Sequence, residues 1–139
     1  MIIDKELEFS DGQAVTAAAA STNVVDLGQT ADVAPGVPLK VRVQIDADLD
    51  PTTSMTFSLQ TDTVENFASP TELLARTELT AALVAGATFE LGTIPSTVQQ
   101  YLRLYYTPNG GNASTGSLSA FVEVYQAPEG DITAIPGNL

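Results

Sequence analysis

Asp46, Asp48 and Asp50 stand at alternate positions, and this D-x-D-x-D spacing is the first place to look for chemistry. Carboxylates spaced this way on a loop converge on calcium when a glycine gives the loop its sharp turn and a bidentate glutamate closes it. Here Pro51 follows the third acid and Phe57 holds the twelfth position, so the spacing fails at both points. The acids are better read as the wet face and end of a strand, and no metal or cofactor is expected. A second chemistry open to acids is glycoside hydrolysis by two carboxylates that meet from distant strands. Glu123 is one candidate, because alternation puts it on a face with Phe121 and Tyr125, and a solvated or interface acid explains it better.

Other chemistries are closed by composition. The 139 residues contain no His and no Cys. That removes the common general base, the common zinc ligand and thiolate nucleophiles together, along with any disulfide. Serines are plentiful, yet without His there is no ordinary Ser-His-Asp arrangement. No G-x-S-x-G, P-loop or G-x-G-x-x-G is present. Asn112-Ala113-Ser114 spells a glycosylation sequon by chance. The chain is therefore expected not to be an enzyme. Seventeen acidic against five basic residues give a net charge of −12. Lys5, Lys40, Arg42, Arg76 and Arg103 are too scattered to form the basic stripe that nucleic acid demands. An anionic membrane surface would repel the chain too. The acidity equally serves solubility. The opening lacks a basic segment followed by an apolar one, and no apolar run is long enough to span a bilayer, so a cytoplasmic origin is expected.

Period-two alternation dictates the elements that must position these residues. Leu39, Val41, Val43, Ile45 and Ala47 alternate with Lys40, Arg42, Gln44 and Asp46, which predicts a strand with one apolar face. Met55, Phe57 and Leu59 repeat the pattern; so do Leu102, Leu104 and Tyr106, and Leu118, Ala120, Val122 and Val124. Gly and Pro corners separate these runs, and residues 107–116 read as a long polar hairpin loop. About seven or eight short strands at such spacing predict an all-β fold, a jelly-roll-like antiparallel β-sandwich with an N-terminal arm. Ser69-Pro70-Thr71-Glu72 has the form of a helix start, but a strand over 73–79 fits the all-β pattern as well.

The expected organisation is an arm over 1–21, a sandwich domain over 22–126 and an irregular tail over 127–139. The arm carries Ile2, Ile3, Leu7 and Phe9, which are costly to leave in water and are expected to contact a partner; burying each is worth roughly 1.5–3 kcal/mol. Tyr101, Tyr105, Phe121 and Tyr125 lie on the second faces of the last two strands. On neighbouring strands they would make an aromatic patch for a sugar or a protein; otherwise they close the second sheet.

Three stretches in order carry a resemblance: SDGQAVTAAAASTNVVDLG (10–28), FSLQTDTVENFASPTELLAR (57–76) and LGTIPSTVQQYLRLYYT (91–107). Together they resemble the capsid cement, or decoration, proteins of short-tailed bacteriophages. The resemblance implies a structural protein of the virion, a jelly-roll or β-sandwich homodimer on the outer surface of the head. There it would bridge neighbouring major capsid protein subunits and stabilise the shell, with no catalytic motif. The low share of charged residues, 16%, agrees with a chain that buries much surface on partners. The alternative is a carbohydrate-binding β-sandwich module of an adhesin, using the aromatic face or the 107–116 loop. A carboxylate enzyme ranks last.

Overall fold

The structure is a computed structural model that describes residues 8–26, 39–95 and 98–124. Among them are nine strands: β1 (Glu8–Ala14), β2 (Ala19–Ala20), β3 (Val25–Asp26), β4 (Leu39–Ala47), β5 (Ser54–Asp62), β6 (Thr71–Leu79), β7 (Thr88–Thr93), β8 (Tyr101–Asn109) and β9 (Ser117–Val124). One sheet has the order β1-β9-β4-β7. The other runs β2-β8-β5-β6, with β3 also pairing β8. Every pair is antiparallel. Apart from β2–β3 and the β5–β6 hairpin, each step along the chain crosses from one sheet to the other, and the first strand pairs with the last. That winding is a jelly roll, as expected. No helix among the described residues is long and apolar enough to cross a membrane.

Alternation places the core where the sequence predicts it. Val41, Val43 and Ile45 of one sheet face Met55, Phe57, Leu59, Leu102, Leu104 and Tyr106 of the other, all at most 1% exposed. Phe57 meets Phe89 and Tyr106 edge to face, with ring centroids 5.0 and 5.9 Å apart. Residues 71–79 are strand throughout, and only Thr80–Ala82 forms a short 3-10 turn.

Two expectations are corrected. The arm expected over 1–21 ends early, because residues 8–14 and 19–20 are strands of the two sheets. Phe9, expected as a partner contact, is fully buried in the chain's own core. Register shifts on both sides of Ser10 are the cause. They break the alternation of β1, so that Phe9 and Ser10, adjacent in sequence, are both buried. Ile2, Ile3 and Leu7 lie outside the described residues, as does the tail over 127–139. Second, residues 107–116 do not close a hairpin. The strand continues to Asn109, and the following loop carries the chain from one sheet to the other.

Candidate functional site

The outer face of the second sheet gathers aromatic, polar and charged side chains from three strands. Along β8, Leu102, Leu104 and Tyr106 turn inward, so Tyr101, Arg103 and Tyr105 turn outward and remain half-buried. Register sets Gln60 opposite Arg103, and Ser58 opposite Tyr105, on β5. Beyond them lie Glu72 and Ala75 of β6. Arg103 Nε donates to Gln60 Oε1 at 2.7 Å, and Ser58 Oγ donates to Glu72 Oε1 at 2.7 Å.

The connection from β5 to β6 folds back over this face. Its anchor is Asp62, 5% exposed at the end of β5. Its Oδ1 accepts the Thr63 and Val64 amides at 2.6 and 3.3 Å, and its Oδ2 accepts the Ser69 amide at 2.9 Å. The Ser69 amide above all holds this carboxyl below its ordinary value of 3.8, against the opposing effect of desolvation. The loop so tied carries Phe67 onto Arg103, with the guanidinium carbon 4.4 Å from the ring centroid. The same guanidinium lies 5.5 Å from the Tyr105 ring. Phe67 is 5% exposed yet does not belong to the central core. Its backbone has φ 51°, the only positive φ of a non-glycine among the described residues. An aromatic residue held there costs about 1–3 kcal/mol, so the surrounding contacts must impose it.

The aromatic patch expected from four residues is not assembled. Tyr101 and Tyr105 belong to β8, whereas Phe121 belongs to β9 in the other sheet. The reason is the loop after Asn109, which changes sheets instead of reversing within one. Phe121 pairs in register with Arg42 and Glu8, and is 4% exposed. Tyr125 lies outside the described residues. Tyr101 and Tyr105 do not close the core either; Tyr106 is the β8 tyrosine that does.

The acids singled out earlier have structural partners. Glu123 receives Arg42 Nε at 3.2 Å across the outer face of the first sheet. Asp46 accepts Ser119 Oγ at 2.6 Å, and Asp48 accepts the Ala85 amide at 2.7 Å. Asp50 takes the Ser114 hydroxyl and the Ser114 and Thr115 amides, 2.7 and 3.0 Å away. The hydroxyl is the main cause of its lowered pKa. No cluster of three or more potential metal-ligating acids forms among the described residues. Gln60, Asp62, Phe67 and Arg103 escaped the sequence reading. Alternation does put Arg103 between two outward tyrosines, but nothing local marks Phe67, whose placement depends on a loop folding onto another strand.

A family model described as Bbp16 matches residues 9–122. The chain belongs to the Bbp16 family. The matched span runs from Phe9 in β1 to Val122 in β9, so it takes in every strand of the jelly roll and the whole Asp62–Phe67–Arg103 arrangement. No curated protein matches this Bbp16 chain. Among solved structures, one described as "Crystal structure of PirA" is similar at a TM-score of 0.47 and 13% identity, covering 83% of this chain and 94% of that one.

Proposed function

We propose that the protein is a capsid cement protein, which docks as a homodimer on the outer surface of an assembled bacteriophage head and bridges major capsid protein subunits. The observation that carries this reading is the ordered resemblance of residues 10–28, 57–76 and 91–107 to such proteins. Those stretches supply β2, β3 and the loop between β5 and β6, with parts of β1, β5, β6 and β7 and most of β8. The charge of −12 supports a place outside the shell, away from packaged DNA. The mechanism is thermodynamic: a ligand that binds only the expanded shell stabilises that state by mass action. Many copies around the lattice then resist internal pressure.

Phe9 takes no part in docking on this reading, because it is spent on the core. Ile2, Ile3 and Leu7 remain the arm's contact candidates. The test is sedimentation of the purified protein with expanded, empty heads from the same source and with the unexpanded precursor. Co-sedimentation at fixed stoichiometry with expanded heads alone is the expected result. Protein left in the supernatant at micromolar concentration overturns the reading.

A further inference from the structure

We propose that Arg103 is a carboxylate-binding residue, which takes an Asp or Glu side chain of a protein docked on the outer face of the second sheet. Three of the four cations among the described residues have acids of their own: Lys40 with Glu90, Arg42 with Glu123 and Arg76 with Glu78. Arg103 has no carboxylate within salt-bridge distance among those residues. Its Nε is held by Gln60, and its terminal nitrogens have no acceptor there. Neighbouring acids are already engaged, Asp62 by three backbone amides and Glu72 by Ser58.

What remains is a guanidinium fork held by one hydrogen bond and two ring contacts, with its terminal donors unused among the described residues. Such a fork matches a carboxylate in the bidentate manner, and prior ordering removes much of the entropy of binding. The strained Phe67 completes the case. Its loop is held in an unfavourable backbone conformation that delivers a ring to Arg103 and adds nothing to the central core. A sugar fits this place less well than a protein acid. Stacking a sugar needs an open ring face, and the guanidinium lies over both the Phe67 and Tyr105 rings. Because the chain as a whole is acidic, the fork fixes the register of a docked partner and does not attract it from afar.

The proposal rests on the docking reading for its partner, and the two fail separately. Wild type and R103K are compared for binding to expanded heads; Lys keeps the charge but loses the fork and the ring contacts. We expect at least tenfold weaker binding for R103K at a temperature where the variant is still fully folded. Equal binding overturns the carboxylate proposal and leaves docking intact. If wild type does not bind heads, docking falls. That case, or early melting of R103K, leaves the decision to the wild-type chain alone. There the Arg103 Nε–H resonance is followed while N-acetyl-glutamate amide, glucuronate or chloride is added. A saturable shift with the glutamate compound supports the proposal. A linear shift shared with chloride, or saturation by glucuronate alone, overturns it.

Discussion

Ser10 Oγ and the Tyr106 hydroxyl meet 2.7 Å apart inside the core, and the same Ser10 hydroxyl donates to Gln13 Oε1 at 2.6 Å. Tyr106 is therefore the donor of the pair. Burial pushes its pKa far above the ordinary tyrosine value, so it stays neutral at any ordinary pH. The two partners are not equivalent. In Y106F, Ser10 keeps its bond to Gln13, and the expected loss is about 0.5–1.5 kcal/mol. In S10A a buried phenol is left without an acceptor, and the expected loss is about 1–3 kcal/mol. Urea unfolding of the two variants checks the order. Asp62 gives a prediction in pH. Its folded pKa lies below the unfolded value, so its charge stabilises the fold fully above the unfolded pKa and that contribution vanishes as pH falls through the folded one. D62N should melt earlier than wild type at pH 7, and the gap should close as the pH drops below about 3.8. A gap unchanged by pH would mean that the amides do not depend on the charge.

At the scale of elements, β1 and the loop before β9 show how the ends of the sandwich are sealed. Phe9 on β1 is fully buried, and truncation to Ala should cost about 3–5 kcal/mol. Calorimetry of F9A separates a core residue from a docking residue, since a docking residue leaves the melting temperature alone. Gly116 ends the loop that takes the chain between sheets. It has φ +121°, and a Cβ there would sit 2.4 Å from Leu49 Cδ2 and 2.5 Å from the Asp48 carbonyl oxygen. G116A must move backbone as well as side chain, and should lose roughly 1–3 kcal/mol or more. Gly86, at φ +91° with open space around it, should tolerate Ala better. The β4 and β5 alternation was legible because both strands lie mid-sheet and turn every second, apolar side chain into the core, even though β5 also buries polar residues on its other face. Strand β1 was not, because a bulge is a property of pairing with β9 and leaves no periodicity to read.

For the whole molecule the decisive quantity is the charge of −12 on 139 residues. Such a chain repels itself when compact, and salt screens that repulsion. The melting temperature should rise between 10 and 150 mM NaCl, and a fall would mean that the surface ion pairs outweigh the net charge. On an assembled head the same acidity would keep docked copies soluble and apart from one another except where their contacts are built.

Alternation, turn residues and composition were enough to determine an all-β sandwich, the inward faces of β4, β5, β8 and β9, and the absence of His and Cys chemistry, because these depend on local pattern and residue type. Tertiary structure alone decided which sheet each strand joined. That choice separated Phe121 from Tyr105, brought Phe9 inside, and set Phe67 against Arg103. Each of these contacts joins residues far apart in the chain, through strand pairing and loop closure that no short window of sequence encodes.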